Sequence, residues 1–260
     1  MDEAKILERL DALEAENQKL KLEVERAQAV NDIQRLIGNY YNNHIMGESD
    51  EYVTMQTSYV YFADRPDTTY EVADYGLFVG YDNVKAFLTP THGNGGKPGP
   101  GGPGGPGMGA KTIEENGGKP LRTAMMEHWL CTPMIVVAGD GKTARGVWHA
   151  PGSETAGEMC QWALGRVAAD FIKEDDGQWK IWHYHYYRIF RTDFDTPWTE
   201  MDQRYISRQK DKEEYRAVGG DPDRILPTTY FKPYGYGPNI EPIPATPKPY
   251  DTFTEDMLPI

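Results

Sequence analysis

The sequence has few cysteines and no long apolar run. Its two cysteines, Cys131 and Cys160, match no metal or redox spacing and are too few for a disulfide framework, so we expect buried, reduced thiols. No apolar run approaches the roughly 18 residues of a membrane span, and the N-terminus MDEAKILERL lacks the basic-then-apolar pattern of a signal peptide. These absences predict a cytoplasmic protein that does not bind membranes.

Basic residues are also scarce relative to acidic ones. The chain has 27 Lys and Arg against 40 Asp and Glu, which gives a net charge of −13. Lys and Arg are not clustered into a basic stretch anywhere in the sequence. Such a charge repels phosphate backbones and anionic lipid headgroups. We therefore expect neither nucleic acid nor a membrane as a partner.

Residues 93–109 consist mainly of glycine and proline, with ten Gly and four Pro. Neither a helix nor a sheet can use that composition, so we predict a long flexible loop, either a lid or a plain surface insertion. Residues 99–104 formally satisfy G-x-G-x-x-G, but no strand leads into them and proline stands where a helix should begin. We expect no nucleotide and no other cofactor.

Residues 1–30 carry the clearest periodic pattern, since apolar residues alternate steps of four and three over three heptads. If Leu10, Asn17 and Val24 occupy a positions, then Ile6, Leu13 and Leu20 occupy d positions, and Ala27 extends the pattern. A lone Asn at an a position sets the register and is typical of parallel dimers. We predict a homo-oligomer, a dimer or a trimer. The alternative is an amphipathic helix packed on its own domain.

Residues 31–192 are predicted to form one α+β domain in which helices lie across one face of a curved antiparallel sheet. The helix continues from Ile33 to Tyr41, residues 69–78 alternate as a strand, and residues 82–88 form a short helix capped by Asp82. Hairpin turns at residues 138–141 and 175–177 connect later strands. Those strands are predicted at residues 123–137, 143–151, 161–173 and 179–191. Residues 193–260 read as a helical stretch and then an extended tail rich in Pro and Tyr, which wraps a surface.

Four stretches of this domain carry a family likeness: IQRLIGNYY, EVADYGLFVGYDNVKAFL, EHWLCTPMIVVAGDGKTARGVWHAPG and DDGQWKIWHYHYYRIFR. In their order and spacing the chain resembles the SnoaL-like branch of the NTF2-like (nuclear transport factor 2-like) superfamily. The resemblance implies a cone in which a bent sheet encloses a deep apolar pocket. Many members are cofactor-free enzymes, including ketosteroid isomerase, polyketide cyclases, scytalone dehydratase and bile-acid dehydratase, whereas others only bind ligands or proteins. The nearer likeness is to bacterial lyases of aromatic or steroid-like alcohols, including lignin-derived formaldehyde lyases.

The same resemblance implies the catalytic residues. His128 stands where the dehydratases carry a strand histidine, His149 where they carry a second histidine or an aspartate, and Tyr41 where a tyrosine orients water or a substrate oxygen. Tyr40 could replace Tyr41, because the helical phase is uncertain by one residue. The aspartate that follows this tyrosine in the dehydratases is missing here. For each histidine the alternative is an ordinary buried or solvated side chain.

On the closing strand, alternation puts Trp179, Ile181, His183, His185 and Tyr187 on one face. The family's Trp and Ile point inward here, which favours His185 or His183 in the pocket. The paired imidazoles make a metal site with His128 or His149 conceivable, but we predict no metal. Arg188 and Arg191 could hold a phenolate or a carboxylate, and aromatic side chains suit a flat substrate. The substrate-binding residues are predicted to be Tyr40, Tyr59, Tyr61, Asp64, Trp129, Trp148, Trp162, His183 and Arg188.

The leading hypothesis is a cofactor-independent lyase, either a dehydratase or a carbon–carbon (formaldehyde) lyase, acting on an aromatic or polycyclic alcohol. His128 and His149 would exchange protons with the substrate, while Tyr41 and His185 would position its oxygen. An isomerase or cyclase could use the same pocket. The third possibility is a ligand-binding or assembly module without catalysis.

Overall fold

A curved, unclosed sheet of seven strands, with one long helix across one of its faces, forms the body of the chain. The coordinates are a computed structural model that describes residues 3–43, 53, 55–72, 76–89, 125–156, 159–200 and 243–258. The predicted loop at 93–109 and most of the predicted tail lie outside these residues. The α+β architecture and the N-terminal helix are confirmed.

The described residues contain two α-helices, α1 (Glu3–Asn43) and α2 (Tyr81–Leu88), and short 3-10 helices at Met55–Tyr61, Trp198–Glu200 and Glu255–Met257. The strands are β1 (Thr69–Val72), β2 (Gly76–Val79), β3 (Met125–His128), β4 (Cys131–Val137), β5 (Thr143–Ala156), β6 (Met159–Lys173) and β7 (Trp179–Asp193). Their order is β2-β1-β7-β6-β5-β3, and β4 also pairs with β5. β1 runs parallel to β7, and the other pairs are antiparallel.

Two predicted strands are each two strands in the structure. Residues 69–78 fall in β1 and β2, which pair antiparallel with Thr69 opposite Val79. Residues 123–137 fall in β3 and β4, which both pair with β5. The predicted cap of α2 is also wrong: Gly80, at φ 87°, is the N-cap, and Asp82 lies in the first turn, where a carboxylate favours the helix dipole.

The helix α1 is continuous through the predicted domain boundary at residue 30. From Ala29 onward one side of it is buried, and Ile33 and Ile37 are no more than 1% exposed. It contacts β4, β7 and the 3-10 helix at Met55–Tyr61. Burying each isoleucine contributes roughly 1.5–3 kcal/mol, so this contact fixes the helix over the sheet. The residues before Ala29 are mostly exposed.

A bulge in the β6–β7 pairing decides which side chains in the middle of β7 face α1. Phe171 pairs with Ile181 whereas Asp170 pairs with His183, so Trp182 is an extra residue. An extra residue moves every later side chain to the other face. The predicted alternation is therefore wrong beyond Ile181. The residues that share the α1-facing side are Ile181, Tyr184, Tyr186 and Arg188.

The opposite face of the sheet is covered by residues 243–257, which lie in the predicted extended tail. Arg166 Nη1 donates to the Ile243 carbonyl at 3.2 Å, and Arg145 Nη2 donates to the Met257 carbonyl at 2.7 Å. The Gly139 N–H donates to the Tyr250 carbonyl at 2.9 Å. A cavity of about 520 Å³ lies between this segment and the face that carries Tyr187.

Both cysteines differ from the sequence expectation, because Cys131 and Cys160 are free but exposed rather than buried. Cys131 opens β4 and Cys160 is the second residue of β6. Among the described residues, no helix combines the length and the apolar character that crossing a membrane requires.

Candidate active site

Buried phenols connect α1 to β7 on the α1-facing side of the sheet. Tyr41 and Tyr184 share a hydrogen bond of 2.7 Å between their hydroxyls, and the Tyr40 hydroxyl donates to Tyr70 at 3.1 Å. The ring of Tyr70 is stacked on that of Tyr184, with centroids 4.7 Å apart. Tyr40 and Tyr41 are both buried, and each contacts a different tyrosine, so burial does not distinguish the two predicted positions.

The environment keeps these phenols protonated. Burial, reinforced by the neighbouring phenols, raises the pKa of Tyr40, Tyr41 and Tyr184 well above the ordinary value near 10. A neutral phenol can donate a hydrogen bond or a proton to an oxygen atom, but it does not serve as a base at neutral pH. The phenols therefore suit the role of hydrogen-bond donors to a substrate oxygen.

His128 ends β3 and packs against Gly152 of β5, its partner in the register. A Cβ atom on Gly152 would lie 2.6 Å from His128 Nδ1, so the ring requires glycine at this position. His128 Nε2 lies 3.3 Å from Glu154 Oε1. The carboxylate favours the tautomer with the proton on Nε2, which leaves the lone pair of the ring on Nδ1.

Glu154 joins His128 to two arginines of β7. Its side chain is almost fully buried, Arg191 Nη2 contacts its Oε2, and Arg188 Nη1 lies 3.7 Å from its Oε1. The Arg188 guanidinium also lies over the Tyr186 ring at 5.1 Å, and the His128 ring meets Tyr186 edge-on at 6.0 Å. Tyr186 therefore contacts both His128 and Arg188, and it lies near enough to Tyr41 and Tyr184 to raise the pKa of both.

The charge state of His128 follows from these neighbours. Burial, together with the positive charges of Arg188 and Arg191, lowers the pKa of His128 to about 3 against a smaller opposing effect of Glu127. The imidazole is therefore neutral at physiological pH. A neutral ring has a lone pair that can accept a proton, but the burial and the positive charges that lower its pKa also make it a weak base.

Residues 57–185 match the family model of the SnoaL-like domain. The chain belongs to the SnoaL-like family, within the NTF2-like superfamily. The match spans the strands from β1 into β7 and contains His128 and Glu154. Tyr41 and Arg188 lie outside the matched residues.

Solved structures similar to this SnoaL-like chain come from several bacteria. A candidate scytalone dehydratase from Novosphingobium aromaticivorans is 14% identical over 67% of this chain and 93% of its own, with a TM-score of 0.44. The hexachlorocyclohexane dehydrochlorinase LinA-type3 from Novosphingobium barchaimii is 11% identical over 67% and 96%, with a TM-score of 0.44. An NTF2-like protein with a cystatin-like fold from N. aromaticivorans is 14% identical over 76% and 94%, with a TM-score of 0.36. Among curated proteins, no sequence matches the chain significantly.

The SnoaL-like domain brings together some of the predicted residues and separates others. His128, Tyr40, Tyr41, Trp148 and Arg188 share the α1-facing side, since Trp148 pairs through Val167 to Tyr186. His149 follows Trp148 on the same strand and therefore points to the opposite face, where it is exposed. The structure does not bring His149 to His128 as an acid–base partner.

His183 and His185 also lie on the opposite face, because of the bulge at Trp182. His183 Nδ1 lies 3.0 Å from Asp170 Oδ2, and Arg145 Nε donates a hydrogen bond to the other carboxylate oxygen of Asp170. His185 is stacked on Tyr187 at 3.7 Å, and its Nε2 lies 3.3 Å from Glu71 Oε1. Neither histidine reaches the phenols of the α1-facing side, so the predicted roles of both in that site are not supported.

The remaining predicted substrate-binding residues surround the domain instead of converging on His128. Tyr59 lies beneath Lys85 at 4.8 Å, and the Tyr61 hydroxyl accepts a hydrogen bond from Asn43 at 2.7 Å. Three others are exposed: Asp64, Trp129 and Trp162. Within the described parts of the chain, no three His, Cys, Asp or Glu side chains are grouped closely enough to hold a metal ion.

The site contains residues that sequence reasoning did not assign to it. Glu154 was missed because the strand was predicted to end at residue 151, whereas β5 extends to Ala156. Tyr184 and Tyr186 were placed on the other face from Ile181, and only the bulge reverses that placement. Proline at position 151 and glycine at 152 conceal the strand, so composition alone gives little signal for Glu154.

His128 and His185 are expected to make the protein sensitive to acid. Burial lowers the pKa of His185, like that of His128, to about 3 from an ordinary 6.5. Between pH 6.5 and 3 the unfolded chain therefore binds protons that the folded chain excludes, and stability falls as the pH falls.

The substitution His185→Gln removes one of the two side chains that bind a proton in the unfolded chain but not in the folded chain. We expect the slope of the free energy of unfolding against pH to decrease by up to about 1.4 kcal/mol per pH unit across this range. Urea unfolding at a series of pH values measures it, with His149→Gln, at an exposed histidine, as the control. An unchanged slope for His185→Gln would contradict the assignment.

Proposed function

We propose that the protein is a cofactor-independent lyase that acts on an aromatic or polycyclic alcohol at the α1-facing side of the sheet. The observation that carries this proposal is the group around His128: a buried neutral imidazole held by Glu154, with buried phenols and Arg188 linked to it through Tyr186. The group holds a proton acceptor, proton donors and a fixed positive charge. Acid–base elimination needs these three parts.

Loss of water would proceed by paired proton transfers. His128 takes a proton from the carbon next to the alcohol, the electron pair forms the double bond, and the carbon–oxygen bond breaks. The leaving oxygen takes a proton from the Tyr41–Tyr184 pair and departs as water. Tyr41 and Tyr184 thereby replace His149, which faces the other side, as the acid.

Loss of formaldehyde would use the same groups on a diol. His128 takes the proton of a terminal hydroxymethyl group, and the bond between that carbon and its neighbour breaks to release formaldehyde. The freed electron pair forms a double bond and expels the hydroxyl of the next carbon, which leaves as water with a phenol proton. Arg188 stabilises negative charge that develops on the departing oxygen. Trp148 and Tyr186 are buried aromatic side chains of this face, and their rings would suit contact with a ring substrate.

An isomerase or a cyclase would use the same proton acceptor and is the nearest alternative. A binding or assembly module is favoured by one observation: His128, Glu154, Arg188 and Arg191 already contact one another, as a purely structural ion cluster would. Location in the cytoplasm and the absence of a cofactor stay predictions.

A substrate screen tests the lyase. The purified chain, treated with a chelator, is incubated with a panel of aryl alcohols, diaryl diols and polycyclic alcohols, and products are detected by mass spectrometry. We expect the loss of water or of formaldehyde from at least one aromatic alcohol. Thermal stabilisation by panel members without any product would instead support a binding module, and a product of unchanged mass would support an isomerase.

A further inference from the structure

The first seven turns of α1 present an apolar seam that no other described part of the chain covers. Leu10, Leu13, Leu20 and Val24 are 49%, 53%, 52% and 68% exposed, and Ile6 is 43% exposed. Single exposed apolar residues are common on protein surfaces, but here they repeat at heptad spacing along one line. A line of this kind suits a second helix.

The side of α1 that packs on its own domain lies opposite this seam. Arg26 donates to the Val137 carbonyl at 3.2 Å, while Ala29 and Ile33 are buried. At about 100° per residue, these three positions point roughly 125–175° away from the centre of Leu20, Val24 and Ala27. The described part of the domain therefore leaves the seam open where the helix passes over the sheet, so a partner helix can lie along the seam.

We propose that a second copy of this chain covers the seam, forming a parallel, in-register, two-stranded coiled coil over residues 6–27. The charges beside the seam fit this arrangement. With Leu10, Asn17 and Val24 at a positions, Arg9 and Glu16 occupy g positions, and Glu14 and Lys21 occupy e positions. In a parallel coiled coil, each g residue pairs with the e residue five positions later in the partner helix.

Both resulting pairs join opposite charges. Arg9 of one copy meets Glu14 of the other, Glu16 meets Lys21, and two-fold symmetry repeats each pair. An antiparallel arrangement that matches all three a residues with the three d residues brings g beside g and e beside e. It would set Arg9 against Glu23, which is attractive, but it would also place Glu16 against Glu16 and Glu14 against Glu14, two repulsive contacts that the parallel arrangement does not have.

The seam also favours two strands over three. Of the three a positions, Leu10, Asn17 and Val24, only Asn17 is polar. In parallel helices it faces Asn17 of the other copy, and the two amides can form a hydrogen bond with each other. In a parallel register shifted by one heptad, Asn17 would face Leu10 or Val24. Because α1 continues without a break to Tyr40 and Tyr41, the two domains would stand at the same end of the coiled coil.

Paired charge reversal tests this proposal. One variant carries Arg9→Glu and Glu16→Lys, and the other carries Glu14→Lys and Lys21→Glu, so that neither changes the net charge. Each variant alone sets like charges against each other at all four contacts. An equal mixture restores opposite charges at all four, but only in the parallel register. The matched control is Glu8→Lys with Lys19→Glu, at positions on the outside of the coil.

Sedimentation equilibrium of the full chain is the measurement. We expect wild type and control to have twice the mass of the chain, each variant alone to dissociate at least tenfold more readily, and the mixture to recover the dimer. Far-ultraviolet circular dichroism verifies that the domain is folded in each variant. A wild-type monomer or trimer, variants that dimerise like wild type, or a mixture that stays monomeric would each overturn the proposal.

The direction of the helices has its own test. In a Cys131→Ser, Cys160→Ser background, Asn17→Cys should form an intermolecular disulfide on mild oxidation, because parallel strands place the two residues opposite each other. When Leu13→Cys chains are mixed with Asn17→Cys chains, no disulfide should form between position 13 of one chain and position 17 of the other. The reverse result, in which only the mixed pair cross-links, would show antiparallel helices and overturn the parallel arrangement.

Discussion

The substitution His128→Asn is expected to lower kcat/KM for the substrate found by the screen by roughly 10²- to 10⁴-fold, the usual contribution of a general base. Asparagine keeps a polar group near Glu154 but cannot accept a proton. Because burial and two arginines keep His128 neutral, the loss should be similar at every pH from 6 to 9. Initial rates with a mass-spectrometric or absorbance readout measure it.

The control for this experiment is His149→Asn. His149 is exposed on the other face of the sheet, so its replacement should change kcat/KM by less than a few-fold. Both variants should retain the circular dichroism spectrum of the wild type. Comparable loss in the two variants, or full activity of His128→Asn, would remove His128 from the chemistry.

The substitution Asp170→Asn is expected to lower the free energy of unfolding by roughly 3–5 kcal/mol, because it removes one partner of a buried ion pair. Asp170 is fully buried, with Arg145 Nε at 2.7 Å and His183 Nδ1 at 3.0 Å from its two oxygens. Arg145 also holds the carbonyl of Met257, so the C-terminal segment should loosen with it. Urea unfolding followed by tryptophan fluorescence measures the change.

The matched control is Asp176→Asn. Its carboxylate accepts a hydrogen bond from the Gln178 N–H in the exposed turn between β6 and β7, a position that asparagine also fills. We expect a change below about 0.5 kcal/mol there. If Asp170→Asn were as mild as the control, the buried group on the outer face would not stabilise the fold as its geometry indicates.

Local signals in the sequence predict most of the elements. The hairpin turns at residues 138–141 and 175–177 place the β4–β5 and β6–β7 connections, and apolar spacing places Ile33 and Ile37 against the sheet. His128 was placed on its strand by resemblance to the family, and the structure brings it to Tyr186 and Arg188.

The faces of the strands could not be predicted, because a bulge depends on pairing between strands distant along the chain. One extra residue, Trp182, moves His183 and His185 away from the site and brings Tyr184 and Tyr186 into it. The same limit explains His149: alternation fixes it opposite Trp148, but which of the two meets α1 is decided only by tertiary packing.

A crystal structure of the chain with a ligand from the screen tests the position of the site most directly. We expect the ligand on the α1-facing side, with a polar atom within hydrogen-bond distance of His128 and an oxygen near the Tyr41–Tyr184 pair. A ligand in the cavity on the other face, between Arg145 and the segment around Tyr250, would contradict this assignment and move the chemistry to the outer side of the sheet.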